Sequence, residues 1–176
     1  MINRLLLTTF ALSSLLCAET DDSFSSERFL GIEAGYGEVQ ATNIIGKSTQ
    51  VKGVEFGFRI GAQNEEWRTT LSGHNFNKDG ENYFRGMLQF DRFVWASLYK
   101  TDDIIFKPYL GVHLGWLMYE GANTAKEDSF VYGGQTGIAW NVMRSVDFDF
   151  GYRYSFSQID NVDNIGGFVF GVNYIY

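Results

Sequence analysis

The stretch 146–157, VDFDFGYRYSFS, alternates bulky apolar side chains with small or charged ones over its whole length. Large apolar residues occupy the even positions, and the odd positions hold Asp147, Asp149, Gly151, Arg153 and Ser155. A repeat of two residues is the period of a β-strand, because successive side chains point to opposite faces. The stretch therefore predicts a strand with one aromatic face and one face of glycine and isolated charges.

The same alternation recurs along the chain after residue 27 and predicts eight strands. Their approximate ranges are 28–37, 51–63, 67–76, 83–100, 106–120, 130–142, 146–157 and 166–176. Which face of the strand at 83–100 points outward is left open, because Arg92 interrupts its apolar face and Trp95 lies on the opposite face. A β-bulge between Asp91 and Phe93 would switch the faces.

The connections between these strands alternate in length. Three are short, at 64–66, 101–103 and 143–145, and four are longer, at 39–50, 77–82, 121–129 and 158–164. An even number of strands leaves both chain ends on the side of the short turns. This pattern predicts an all-β fold, an eight-stranded antiparallel up-and-down transmembrane β-barrel. Neither helical periodicity nor a second domain is evident.

The size of the barrel indicates which face points inward. Eight strands enclose a space that side chains just fill, and five or six aromatic rings per strand would overfill it. Glycine and a few paired charges fit, provided that each buried charge has a partner. We therefore predict a lumen charge network of Glu33, Glu55, Arg59, Arg68, Asp147, Asp149 and Arg153.

The first residues, MINRLLLTTFALSSLLCAET, have the layout of a secretory signal peptide, with Arg4, an apolar run and then Ala18. We predict a signal peptide over 1–18 and a barrel domain over 19–176. Cys17, the one cysteine, follows Leu16 rather than a small residue, which disfavours lipidation. Its removal with the signal peptide would leave an exported chain without disulfides.

Composition and motifs favour no enzymatic or nucleic-acid role. The formal net charge is -7, which disfavours nucleic acid. Ser72 and His74 share the predicted lumen face, but the sequence itself places no carboxylate beside the histidine. His113 is interpreted as a hydrogen-bonded lumen residue. We expect no catalytic residue, no cofactor and no metal site.

Residues 106–176 carry a resemblance to a known family. The segments FKPYLGVHLGW, YGGQTGIAWNV, VDFDFGYRYSF and FVFGVNYIY resemble the small eight-stranded outer-membrane barrels of the OmpA/OmpX/opacity-protein type. The resemblance implies an outer-membrane location and insertion by the barrel-assembly machinery, which recognises an alternating C-terminal strand with a final aromatic residue. The implied assembly signal is Phe168, Phe170, Val172, Tyr174 and Tyr176. The family's usual final residue is Phe, where this sequence has Tyr176, and we expect no cell-wall anchoring role.

The sequence thus favours a non-enzymatic protein of the bacterial outer membrane with a structural or surface-interaction role. Its expected partners are outer-membrane lipid, periplasmic chaperones, the assembly machinery and an unknown extracellular molecule, and the expected state is a monomer. A soluble lipocalin-like barrel that binds an apolar ligand is the alternative. A lipid A-modifying barrel enzyme is a weaker one.

Overall fold

A computed structural model describes residues 26–42, 48–78, 81–94, 99–100, 105–120, 127–143, 145–159 and 162–176. The predicted signal peptide and Cys17 lie outside these residues. The strands are β1 (Glu27–Thr42), β2 (Ser48–Gln63), β3 (Trp67–Lys78), β4 (Glu81–Phe93), β5 (Tyr99–Lys100), β6 (Ile105–Glu120), β7 (Glu127–Met143), β8 (Val146–Ile159) and β9 (Val162–Ile175). Among the described residues, no helix is long and apolar enough to cross a membrane.

Eight long antiparallel strands in the described part of the chain form one closed sheet, so the predicted fold class is confirmed. Each strand pairs with its neighbours in sequence, and β1 closes the sheet by pairing with β9. The two-residue β5 lies beside the start of β6, so β4 pairs directly with β6. Closure removes the exposed sheet edges that would otherwise invite aggregation.

Seven of the long strands extend further than their alternation predicts, and the connections at one end are correspondingly shorter. The strand predicted over 83–100 is wrong in extent, since β4 ends at Phe93 and Tyr99–Lys100 form the separate β5, so the connection from β4 to β6 is longer than the predicted 101–103. The two ends are named here the terminal end, where β1 begins and β9 ends, and the loop end opposite to it. The loop-end connections are 43–47, 79–80, 121–126 and 160–161. The expected long connections at 39–50, 77–82, 121–129 and 158–164 are therefore wrong in extent, because residues at their ends still pair across the sheet. The pairing includes a register shift between Gln40 and Ala41 and another between Phe156 and Ile159.

The fourth strand keeps one phase throughout its described length. Its register is unbroken to Arg92 with β3 and to Phe93 with β6, so the bulge considered for Asp91–Phe93 is not present. Arg92 stays on the outer face, with its guanidinium 4.6 Å from the ring centre of Trp67. The arginine interrupts the apolar pattern because it lies where the strand ends.

The two faces of the sheet have the inverted polarity of a membrane barrel. Large apolar side chains face outward and are exposed, including Phe58 at 74% and Phe168 at 55%. Charged side chains face inward and are buried, as Glu33, Asp149 and Arg153 are at 3% or less. A barrel that dissolves in water has the opposite arrangement.

The interior is layered along the barrel axis. A loop-end apolar cluster covers the charged centre and consists of Phe76, Tyr83, Leu117, Tyr119, Val131 and Ile165. Phe93, Tyr109 and Ala139 pack together toward the terminal end. These apolar layers were not predicted, because Phe76 and Leu117 lie at the ends of alternating stretches whose inward positions are otherwise polar or glycine.

Candidate functional site: the lumen network

Glu33 on β1 is one centre of the buried polar network. Its carboxylate accepts hydrogen bonds from Arg59 Nη1 at 3.1 Å and from Arg153 Nη1 and Nη2 at 2.8 and 3.2 Å. His74 Nε2 lies 2.7 Å from the same carboxylate. One carboxylate on β1 thus contacts side chains of β2, β3 and β8, so it joins opposite walls of the barrel.

Asp149 on β8 is the second centre. It accepts hydrogen bonds from Arg59 Nη2 at 3.3 Å and from Tyr109 Oη at 2.7 Å, and it also forms an ion pair with Arg68. Arg68 Nε donates to Asp91 at 2.9 Å, and its guanidinium lies 4.5 Å from the ring centre of Tyr109. Arg68 is thereby paired on two sides and stacked on a third.

Gln135 links the two centres into a closed circuit. Its Nε2 donates to Asp91 at 2.5 Å and its Oε1 accepts from Arg153 Nε at 3.1 Å. The circuit runs through Glu33, Arg59, Asp149, Arg68, Asp91, Gln135 and Arg153. It alternates three carboxylates with three guanidinium groups, so its charges cancel.

A second group of contacts lies nearer the loop end. Arg85 Nη2 donates to both oxygens of Glu55 at 2.8 and 2.9 Å, and Tyr83 donates to the same carboxylate at 2.8 Å. Arg85 Nη1 also donates to Ser155 at 3.1 Å, and His113 Nε2 lies 2.8 Å from that hydroxyl. Glu55 therefore pairs with an arginine that the sequence analysis did not include.

Asp147 is the exception among the seven predicted network residues. All seven are buried, and six of them contact an oppositely charged side chain. Asp147 instead accepts hydrogen bonds from two amides, Gln63 Nε2 at 2.8 Å and Asn141 Nδ2 at 2.7 Å. Its contacts place it outside the circuit, toward the terminal end of β8.

Inward-facing glycines make room for the long side chains. A Cβ added at Gly171 would lie 2.6 Å from Arg59 Nη1, and one added at Gly35 would lie 2.7 Å from the side chain of Glu55. Both separations are shorter than a van der Waals contact. The glycines of the inner face therefore provide the volume that the charged side chains occupy.

The residues missed by the sequence analysis lie mainly on β4. Arg85, Gln89 and Asp91 all face inward and are buried. These odd-numbered positions alternate with the apolar residues Leu88 and Phe90, which is the pattern of a strand with a polar inner face. Arg92 on the apolar face made that pattern ambiguous. Reading the strand as ending at Phe93 would have placed all three in the lumen.

The interior geometry provides no nucleophile–base pair at Ser72 and His74. His74 contacts Glu33 and Arg153, whereas the Ser72 hydroxyl accepts a hydrogen bond from Gln89 at 2.6 Å. Ser155 and His113 do contact each other, but they lie beneath the loop-end apolar cluster. No group of three or more His, Cys, Asp or Glu in the described residues could hold a metal ion.

The residues of the predicted assembly signal form one outward stripe on β9 and the residue after it. Phe168, Phe170, Tyr174 and Tyr176 are exposed, and Val172 between them is half-buried. The Phe168 ring stacks 6.0 Å from that of Phe150 on the neighbouring strand. The backbone N–H of Tyr176 donates to the carbonyl of Arg28 at 2.9 Å, which extends the seam between β1 and β9 to the last residue.

Comparison with solved structures supports the same fold. The chain resembles Neisserial surface protein A, with a TM-score of 0.63 and 18% identity over 87% of this chain and 100% of that one. It also resembles the N-terminal barrel domain of OprF of Pseudomonas aeruginosa, with a TM-score of 0.62 and 12% identity over 86% and 100%. OprH from P. aeruginosa gives a TM-score of 0.59 and 18% identity over 85% and 99%.

The chain therefore has the fold of the small eight-stranded outer-membrane β-barrels. No protein-family model matches it, and no curated protein matches it. At these identities the likeness defines the architecture, and the role of the molecule has to be argued from its own residues.

Proposed function

We propose that this chain is a non-enzymatic, monomeric protein of the bacterial outer membrane with a structural or surface-interaction role. The main support for this proposal is the inverted polarity of the sheet. An exposed belt of aromatic and aliphatic side chains surrounds a buried centre of paired charges. Such a belt is stable in a hydrocarbon environment, and closure pairs the backbone groups of every long strand.

The filled lumen supports a scaffold rather than a pore or a carrier. An interior pocket of about 10 Å³ adjoins Glu55, Arg85 and Arg153, which is about the space of one water molecule. An apolar ligand needs a much larger apolar cavity. The lipocalin-like alternative is disfavoured for this reason, and any partner would contact the loop end or the outer surface.

The loop end is the side that we place outside the cell. Both described chain ends lie at the terminal end, and in outer-membrane barrels that end faces the periplasm. Within the described residues, the surface available to an extracellular partner then lies at the loop-end termini of the long strands.

Cell fractionation tests the location. We expect the folded protein in the outer-membrane fraction and release only with detergent. Recovery from the periplasm without detergent would contradict the proposal.

The absence of catalysis is tested separately. We expect lipid A mass spectra to be the same with and without the protein. A change in lipid A that depends on Ser72 and His74 would replace the proposed role with an enzymatic one.

A further inference from the structure

The apolar outer belt is taller on one half of the barrel, β6–β9, than on the other, β1–β4, and these are named here the tall half and the short half. The apolar run of a strand is its consecutive outward positions that hold neither a charged residue nor an amide. The runs of the short half are 30–36 on β1, 54–62 on β2, 67–73 on β3 and 84–90 on β4. Those of the tall half are 106–118 on β6, 130–140 on β7, 146–156 on β8, and 166–176 on β9 and the residue after it.

The two halves differ in height by about 10 Å. A strand rises about 3.3 Å per residue and is tilted by about 40° in such a barrel, so each residue adds about 2.5 Å along the barrel axis. The runs of β1, β3 and β4 are therefore about 15 Å tall and that of β2 about 20 Å, whereas those of the tall half reach about 25–30 Å. The tall half matches the apolar band of about 25 Å that outer-membrane barrels present to lipid, and the short half does not.

Polar side chains on the outer face end the short runs. Glu38 and Asn75 end the runs of β1 and β3 at the loop end, and Arg92 ends that of β4 at the terminal end. Glu38 pairs with Lys52 of the neighbouring strand at 3.2 Å, and the Arg92 guanidinium lies 4.6 Å from the ring centre of Trp67. Long charged side chains can extend toward a membrane interface, but these contacts hold Glu38 and Arg92 beside their own strands, and the side chain of Asn75 is too short to extend.

The strand register shows that Asn75 lies level with an apolar residue of the tall half. A row of paired residues that starts at Val146 passes once round the barrel and returns to β8 at Phe156, so it climbs ten residues toward the loop end over eight strands. Leu71 and Tyr132 belong to this row three strands apart, so Tyr132 lies about four residues nearer the loop end. Asn75 is four residues beyond Leu71 in the same direction and therefore shares the level of Tyr132.

The same climb places Arg92 level with Ile138 on β7. Arg92 is opposite Leu110, and Leu110 is opposite Thr136, so Thr136 lies two strands along the row and about two to three residues nearer the loop end. Ile138 is two residues back toward the terminal end. A bilayer of uniform thickness would therefore either bury the charge of Arg92 in hydrocarbon or leave apolar side chains of the tall half outside it.

We propose that the barrel thins the phospholipid bilayer beside the short half and leaves it at its usual thickness beside the tall half. Each leaflet is about 5 Å thinner on the short side. A membrane accommodates a short apolar stretch by thinning at modest cost, whereas a charge in the hydrocarbon is expensive. This inference rests on the proposed membrane location and adds a preference for lipids with short acyl chains on one side of the molecule.

Fluorescence quenching at paired positions tests the thinning directly. Asn75→Cys and Tyr132→Cys are made in a Cys17→Ser background, purified from the outer membrane, labelled with one dye and reconstituted in dioleoylphosphatidylcholine vesicles. The vesicles carry spin labels either at the headgroup or along the acyl chain. We expect the dye at residue 75 to lie about 5 Å nearer the bilayer surface than the dye at residue 132. Arg92→Cys and Ile138→Cys make the same comparison in the other leaflet.

A second experiment makes the short half taller. Asn75→Leu combined with Arg92→Leu adds one apolar position to the run of β3 and one to that of β4. In phosphatidylcholine vesicles with monounsaturated chains of increasing length, we expect the double variant to reach its highest urea midpoint at a longer chain than the wild type, because less thinning is needed. Gln158→Leu is the control, since Gln158 is exposed at the loop end of β8 in the tall half, and it should leave the preferred chain length unchanged.

Three results would overturn the inference. Equal depths within both pairs would mean that the bilayer has one thickness around the barrel. A dye at residue 75 that neither spin label quenches would mean that a second copy or another protein covers the short half. An unchanged preferred chain length in the double variant would mean that the height of the belt does not set the preference. With the protein folded in the outer membrane, each result refutes the thinning alone, whereas recovery from the periplasm refutes the proposed function itself.

Discussion

At the scale of single residues, the buried charges are tolerated because their partners come from several strands at once. Glu33 accepts hydrogen bonds from Arg59 and Arg153, and Asp149 contacts Arg59 and Arg68. Removing one member therefore leaves a buried charge without its counter-ion, and that loss costs more than the net contribution of the pair.

Arg153→Leu should lower the free energy of unfolding by about 3–5 kcal/mol, the usual cost of breaking a buried ion pair from one side. Urea unfolding of protein refolded into lipid vesicles measures it. Lys52→Leu is the control, because Lys52 pairs with Glu38 at the surface and its side chain is 55% exposed. That change should cost about 0–1 kcal/mol, and equal costs for the two variants would mean that the network does not stabilise the barrel.

At the scale of the strand, each element has two environments that follow from its alternation. On β8 the side chains of Phe150 and Tyr152 are exposed, whereas those of Asp149 and Arg153 are buried. A charge introduced on the outer face of a strand should therefore destabilise the barrel by an amount that depends on how deep that charge lies in the membrane.

Phe150→Arg, in the middle of the outer face of β8, should destabilise the barrel by about 2–4 kcal/mol in lipid. Val146→Arg, at the terminal end of the same strand, should cost about 0–1 kcal/mol because the charge reaches the interface. Unfolding in vesicles compares the two. A cost independent of position would argue that this face does not contact lipid.

Deleting Tyr176 should reduce the amount of folded protein in the outer membrane by more than the loss of one exposed ring explains. Tyr176 adds a backbone hydrogen bond to the closing seam, and it ends the predicted assembly signal. Quantitative gels of outer-membrane fractions measure this. Tyr176→Phe should assemble at the wild-type level. Normal outer-membrane levels of the deletion variant would contradict the prediction that Tyr176 is part of an assembly signal.

At the scale of the whole molecule, closure makes every long strand depend on both of its neighbours. The sheet is closed along β1–β9 and continues across β4–β6 without a free long edge in the described structure. A strand that lost one neighbour would leave backbone N–H and C=O groups unpaired in the hydrocarbon, which is costly.

Unheated protein should migrate differently from boiled protein on an SDS gel, because the closed barrel stays compact in the detergent until it is heated. The Arg153→Leu variant should lose this shift at a lower temperature than Lys52→Leu. An identical position for heated and unheated wild-type protein would contradict a closed barrel.

The sequence by itself determined the strand content, the facing of seven long strands and the barrel class, because alternation with a period of two is a local property. The seven charges predicted for the lumen all lie on the inner face of their strands. Phe168 through Tyr176 likewise alternate outward as their spacing indicates.

Only the tertiary structure decided which charge meets which. Glu55 is paired with Arg85 and Asp147 with two amides, and Gln135 closes the circuit through contacts with Asp91 and Arg153. These partners lie on different strands, so their contacts depend on the stagger between strands and on the rotamers that fit a shared volume. Alternation fixes the face of each side chain, but the curvature and register of the closed sheet fix its neighbours across the lumen.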